Sequence, residues 1–346
     1  MTINIQQLIK QKKIGLPICM LTCYDATFAK LLDKCGVEII LVGDSLGMVV
    51  QGNSSTIKVK MSDMIYHTRC VSKAAKNAMV MVDMPFGSYQ ESPRQAYSNA
   101  ALLMEAGAKI IKLEGGEWLA ETVSFLSDRG IPTCAHLGLT PQSVHKLGGY
   151  KIQGKSLENA EKIVRAAKIL EGSGVDLIVL ELIPTELGKR ISKLISIPTI
   201  GIGAGVYVDG QVLVLHDILG LTPSPNPRFV KSFFYSGDSI EQAIKNYILA
   251  VKEKKYPDSS NSYWLIIHAS LSKLDQTATK TIKKPPTITL VSDNLLKKIA
   301  DEIVATGISI SMSSEVVWTD IFEPPYCKQK FAEPRETASR IIVVKT

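Results

Sequence analysis

The sequence predicts an α/β protein built as a (β/α)8 barrel, and three observations carry that expectation. Short, largely apolar segments of strand type recur along the chain. Stretches with helical periodicity separate most of them. The alternation runs for about 260 residues, the size and rhythm of such a barrel. A doubly wound open sheet is the competing arrangement, but it usually needs fewer strands and a reversal in strand order.

The elements follow in order. MTINIQQLIKQKKIG (1–15) reads as a short amphipathic helix with Ile5, Leu8 and Ile9 on one side. It lacks the apolar stretch and small-residue cleavage site of a secretory signal. The expected strands are ICMLTCYD (18–25), EIILVGDS (38–45), AMVMVDMP (78–85), KIIKLEGG (109–116), PTCAHLGL (132–139), LIVLELIP (177–184), TIGIGAG (199–205) and QVLVLHD (211–217). Short apolar runs of this kind suit a parallel sheet covered by helices. Between them lie MSDMIYHTRCVSKAAKN, SPRQAYSNAALLMEAGA, WLAETVSFLSDRG and LENAEKIVRAAKILEGSG, each with a polar start and a helical apolar period. The last two strands stand so close in sequence that little helix fits between them. GIGAG (201–205) is too compact for a dinucleotide fingerprint and reads as a tight strand-to-loop turn.

After YPDSSNSYW (256–264) the rhythm stops. The expected organisation is a catalytic barrel over 1–264 and a C-terminal extension of unknown role over 265–346. One unit of the extension reads as strand–helix–strand: PTITLVSD, NLLKKIADEIVATG, ISISM, with Ser292 or Asp293 as cap and Gly307 as stop. It is too small to be stable alone, so it is expected to dock on the barrel or a partner, or to stay partly disordered.

Composition narrows the function. With 45% hydrophobic and 21% charged residues, the chain has the make-up of a soluble globular protein. No apolar stretch is long enough to span a membrane. The net charge of +7 comes mostly from dispersed Lys, without the aromatic-interleaved basic patch that favours nucleic acid. The six cysteines show no zinc-like pairing, and reduced thiols in the cytoplasm are expected.

Four apolar runs finish on a carboxylate: IILVGD at Asp44, MVMVD at Asp83, IIKLE at Glu114 and LIVLE at Glu181. Burying an unpartnered carboxylate costs several kcal/mol, roughly, so four at equivalent strand ends suggest one acidic site, most simply a metal site. Oxygen ligands without Cys or His in the same motifs favour Mg²⁺ over zinc. Such a metal leaves positions open for a bidentate 2-oxo acid and stabilises an enolate as a proton leaves the neighbouring carbon. That chemistry needs a base not tied to the metal, for which Glu181 is the natural candidate. Lys112 shares a strand face with Glu114. It is placed either to bind a substrate carboxylate or to form an inward salt bridge. Asp44 and Ser45 sit between Gly43 and Gly47, which either bring backbone close to a ligand or form a plain turn. His136 either polarises a substrate oxygen or is a satisfied core histidine. His67, His145 and His216 carry no functional expectation.

These pieces together resemble the ketopantoate hydroxymethyltransferase family. The matching segments are TCYDATFAKLLDKCGVEIILVGDSLGMVVQG, VDMPFGSY, IIKLEGGEW, HLGLTPQSV with GGYKIQG, VLELIP, and IGIGAG with DGQVLVLHD, in order across roughly residues 5 to 264. The resemblance implies a Mg²⁺-dependent barrel of the phosphoenolpyruvate/pyruvate type that assembles as a homo-oligomer, often a decamer. It implies hydroxymethyl transfer from 5,10-methylenetetrahydrofolate to 3-methyl-2-oxobutanoate in pantothenate and coenzyme A synthesis. By motif, Asp44, Asp83 and Glu114 match metal-site carboxylates. Asp44, Ser45, Asp83 and Lys112 match positions that hold the 2-oxo acid, and Glu181 matches the proton acceptor. Residues 265–346 have no counterpart in the family pattern. Two other readings stay open: a Mg²⁺-dependent C–C lyase or mutase on another 2-oxo acid, and an inactive barrel kept for binding.

Overall fold

A computed structural model describes residues 2–222 and 225–264. The C-terminal extension expected over 265–346, including its strand–helix–strand unit, lies outside the described residues. Eight parallel strands pair in chain order and the first pairs with the last, closing a barrel. They are β1 (Ile18–Thr22), β2 (Ile39–Val42), β3 (Met79–Asp83), β4 (Ile110–Glu114), β5 (Thr133–Gly138), β6 (Leu177–Glu181), β7 (Thr199–Ile202) and β8 (Gly210–Leu213). The barrel expected from the sequence is the one observed.

Successive strand residues face opposite ways, and the core divides accordingly. Ile18, Met20, Ile39, Leu41, Met79, Met81, Ile110, Leu177, Val179, Ile200 and Val212 fill the inside. Their neighbours, such as Cys19, Leu21, Ile40, Val80, Ile111 and Ile178, pack outward in the larger core shared with the helices. The strands are therefore buried on both faces, which explains their almost unbroken apolar sequence.

The N-terminal helix, Ile5–Ile14, is capped by Asn4 in a reciprocal box with Gln7. Its Leu8 is fully buried and joins the interior cluster, so this helix plugs the end where the strands begin. The helices Met61–Ala74, Pro93–Glu105, Ala120–Ser127 and Leu157–Gly172 fall in the four stretches where periodicity placed them. Helix Ile240–Lys252 seals the closing seam: the buried Tyr247 Oη lies 3.1 Å from the Met20 carbonyl and 2.9 Å from that of Gln211.

Between β7 and β8 the chain passes through a tight loop without a helix, with Gly203 and Gly205 at positive φ. The eighth strand ends at Leu213, earlier than the apolar pattern suggests, and His216 lies in the short helix Leu215–Ile218. Plugging one end leaves the other, where the strands finish, as the place for chemistry.

Candidate active site

At the C-terminal end of the barrel the two-residue period that packs the interior continues into polar side chains. Asp83 follows Met79 and Met81 on β3, Lys112 and Glu114 follow Ile110 on β4, and Glu181 follows Leu177 and Val179 on β6. Strand register sets Asp83 beside Lys112 and Glu114 beside His136. Asp44 and Ser45 arrive from the loop after β2, with Ser45 Oγ 2.9 Å from Tyr24 Oη. Asp44, Asp83, Lys112, Glu114, His136 and Glu181 are all buried.

These residues form one continuous network. Lys112 Nζ donates to Asp83 Oδ1 at 2.7 Å and stands 3.7 Å from Glu114 Oε1. The other Asp83 oxygen accepts the Asp44 backbone N–H at 3.0 Å. His136 Nδ1 lies 3.4 Å from Glu114 Oε1, and its Nε2 lies 3.1 Å from Glu181 Oε2. Neither ring nitrogen makes an aligned hydrogen bond, so these contacts are chiefly electrostatic. The inward Lys112 bridge is present, and its nearer partner is Asp83 rather than Glu114. His136 links two carboxylates across the strand ends.

Two functional-site residues escaped sequence reasoning. Gln142, in the turn Pro141–Ser143, donates its backbone N–H to Glu114 Oε2 (2.9 Å) and its amide to Asp44 Oδ2 (2.9 Å) and the Met84 carbonyl (2.8 Å). Tyr89 Oη accepts the Glu114 N–H at 3.0 Å and reaches Gln142 Oε1 at 2.7 Å. Both are neutral residues in loops, where no periodicity marks them.

A glycine makes the β5–β6 junction possible. Gly138 has φ of +89°, and a Cβ there would lie 2.2 Å from the Glu181 carbonyl oxygen. The close approach lets Leu139 N–H bond that carbonyl at 2.9 Å and fixes the backbone of Glu181. Gly47 serves packing, since a Cβ would meet Val59 at 2.6 Å, so closeness to a ligand is not its evident purpose.

Burial and mutual charge set the protonation states. Burial and Lys112 disfavour the His136 imidazolium, but Glu114 and Glu181 outweigh them and lift its pKa to about 9. Burial likewise opposes charge on Lys112, yet Asp83, Glu114 and Asp44 raise its pKa above the ordinary lysine value. Burial would raise Glu114, but contacts with His136 and Lys112 and the Gln142 N–H bring it below the usual carboxylate value. Asp44 is left over: burial first, then Asp83 and Glu114, push its carboxyl well above the ordinary range.

That surplus of negative charge is what a divalent cation would relieve. Among the described residues no group of three or more His, Cys, Asp or Glu side chains is placed to hold a metal ion by itself. All three carboxylates already have protein partners: Glu114 in His136, Lys112 and Gln142, Asp83 in Lys112 and the Asp44 N–H, and Asp44 in the Gln142 amide. Each would therefore share an oxygen's second lone pair with a metal. Asp44 and Asp83 are the adjacent oxygen donors. One or two carboxylates, with water and substrate oxygens completing the shell, is how Mg²⁺ is usually held. The donors present fit it.

Comparison with known proteins gives the family. Residues 2–259 match the family model described as ketopantoate hydroxymethyltransferase. A 3-methyl-2-oxobutanoate hydroxymethyltransferase from Chromobacterium violaceum is 52% identical over 263 residues, covering 76% of this chain and 100% of the relative. One from Nitrosomonas europaea is 53% identical over 249 residues, covering 72% and 93%. Among solved structures, one provisionally assigned as a phosphonomutase from Burkholderia cenocepacia J2315 superposes with a TM-score of 0.50 at 14% identity, covering 63% of this chain and 95% of that one. This last likeness concerns the barrel fold alone.

Proposed function

Because the chain belongs to the ketopantoate hydroxymethyltransferase family, we propose that its strand-end site moves a hydroxymethyl group from 5,10-methylenetetrahydrofolate to 3-methyl-2-oxobutanoate, giving ketopantoate for pantothenate synthesis. The enzyme class rests on the family and on relatives about half identical over most of the chain. The donor, the metal and the course of the reaction are proposed from the chemistry of the site.

Asp44 and Asp83 would hold Mg²⁺, with Glu114 completing the charge around them. A bound Mg²⁺ supplies a Lewis acid for the keto and carboxylate oxygens of the 2-oxo acid. Ser45 and Lys112 stand beside those carboxylates to orient the acid's own oxygens. Lys112 stays charged between Asp83 and Glu114, so once a cation offsets the surplus of carboxylates it is a positive partner for an anionic substrate.

Glu181 is the residue left to take a proton. It sits on β6, across β5 from the Asp44–Asp83–Glu114 group, and its carboxylate is addressed by His136 rather than by Lys112. That separation is the single observation carrying the reading. Glu181 removes the C3 proton of the acid, and the electron pair released forms an enolate. The enolate carbon and a water oxygen replace the two folate nitrogens on the one-carbon unit. One carbon–carbon and one carbon–oxygen bond form and both carbon–nitrogen bonds break. The proton taken by Glu181 and one from the water end on the two folate nitrogens. The arrangement separates an electrophilic side from a basic side, as proton abstraction next to a carbonyl requires.

The homo-oligomer, a decamer in the family pattern, belongs to the same proposal, as does a cytoplasmic location. The described cysteines are all unpaired, as a reducing compartment leaves them. Among the described residues no helix is long and apolar enough to cross a membrane.

Formation of ketopantoate, followed with and without the folate donor and with and without Mg²⁺, tests the reading. Turnover is expected only when both are present. Conversion of a 2-oxo acid without folate would instead place the chain among lyases or mutases.

A further inference from the structure

We propose that the cleft between the loop after β2 and the segment after β5 is the docking subsite of the one-carbon donor, taking a flat heteroaromatic ring with an anionic tail. The assignment rests on the folate-dependent reading above and adds a place for the second substrate.

The cleft has a volume of about 530 Å³, and its walls include Ser54, Lys58, Val144, His145, Gly149 and Tyr150. That size lies within the range of about 300–1,000 Å³ common for small-molecule sites. Both walls follow strands, so the cleft opens at the same end of the barrel as the carboxylates. The turn Thr56–Lys58 packs against the turn Pro141–Ser143. Gln142 of the latter holds Asp44 and Glu114, and Val144, two residues on, already lines the cleft.

The far side of the cleft leads to the proposed base. Gly148 and Gly149, at φ of 69° and 106°, turn the chain into Tyr150. Three residues later the Gln153 N–H donates to the Leu182 carbonyl at 2.9 Å, directly after Glu181. Tyr150 thus belongs to a short strap running from the cleft to Glu181, with its ring half-exposed. Its hydroxyl pKa is raised, by burial first and then by Glu181, Asp44 and Glu114, which agrees with a ring lying over the mouth.

The chemistry matches a folate better than a second small acid. The carboxylates, Lys112 and His136 are buried, and a bulky donor must deliver its carbon from outside them. Tyr150 offers an aromatic face for stacking. Ser54 offers a hydrogen bond to a ring edge, and Lys58 offers a cation for a carboxylate tail. A second cavity, about 320 Å³ beside Lys12 and Asp209, opens at the opposite end of the barrel and leads away from Glu181. There Lys12 is already committed to Asp209 at 2.8 Å.

The test compares wild type with Tyr150→Ala and Lys58→Ala, measuring KM for 5,10-methylenetetrahydrofolate and for 3-methyl-2-oxobutanoate. The same proteins are assayed for C3 proton exchange of the acid without folate, which reports the fold and the first half-reaction. Tyr150→Ala is expected to raise the folate KM roughly tenfold, and Lys58→Ala to raise it less, with the acid KM and the exchange rate kept. An unchanged folate KM in both variants overturns the subsite. Loss of exchange, or an equal rise in the acid KM, also overturns it by assigning Tyr150 to the acid's own pocket. Wild-type protein that forms no ketopantoate from folate and the acid overturns the underlying reading, and the subsite with it.

Discussion

His136 Nε2 stands 3.1 Å from Glu181 Oε2, while its other nitrogen faces Glu114. One imidazolium therefore holds the carboxylate on the basic side of the site in line with a carboxylate on the metal side. Its own placement follows from β-sheet register, which puts it opposite Glu114 on β4 and next to β6. His136→Gln keeps a neutral polar side chain but removes the charge that orients Glu181. We expect kcat to fall about 10–100-fold, the range seen when a residue supporting a catalytic ligand is replaced. The KM for the 2-oxo acid should change much less, and steady-state kinetics separates the two.

Gln142 couples the metal-side carboxylates from a turn outside the strands. Gln142→Ala leaves the backbone bond to Glu114 intact and removes the amide donors to Asp44 and Met84. Mg²⁺ affinity is expected to weaken about 10–100-fold, measured by calorimetric titration in the absence of both substrates.

Lys112 is the buried cation between Asp83 and Glu114. Lys112→Met removes it and leaves two buried carboxylates facing one another. Breaking a buried pair this way costs about 3–5 kcal/mol of stability. Urea denaturation without Mg²⁺ should show that loss, and added Mg²⁺ should recover part of it by restoring positive charge.

A different carboxylate governs acid stability at the entry to β3. Asp33 accepts N–H bonds from Asn77 (2.8 Å) and Ala78 (2.7 Å). Burial opposes its charge, but these donors outweigh it and hold the pKa below the ordinary 3.8. A depressed folded-state pKa gives stability that is fully present above the unfolded value and lost as pH falls through the folded one. Asp33→Asn keeps an acceptor oxygen but loses the charge, and because solvent screens this part-exposed site the variant should be less stable than wild type by only about 0.5–1 kcal/mol at neutral pH. The gap should hold above roughly pH 5 and close below the unfolded value of about 3.9, as urea melts across pH would show.

Much of this architecture is legible in the chain because strand alternation is a local property. The runs ending at Asp83 and Glu181 repeat an inward apolar residue every second position, and the carboxylate simply takes the next inward place. Lys112 and Glu114 share a face by the same rule. Gln142 and Tyr89 are not legible, since neither lies on a periodic element and their roles arise only when loops after β3 and β5 meet. The bridge made by His136 depends on the spacing of three strands, which one strand's sequence does not contain. The end of β8 before His216 is likewise decided by packing rather than by apolar character.

Glu181 as the proton acceptor is the claim on which the rest depends. The direct measurement is exchange of the C3 proton of 3-methyl-2-oxobutanoate in D₂O with Mg²⁺ and no folate, comparing wild type with Glu181→Gln. The wild type should exchange, and the variant should lose about 100–10,000-fold of that rate, the usual contribution of a general base. Exchange at the wild-type rate in a folded Glu181→Gln protein would contradict the assignment.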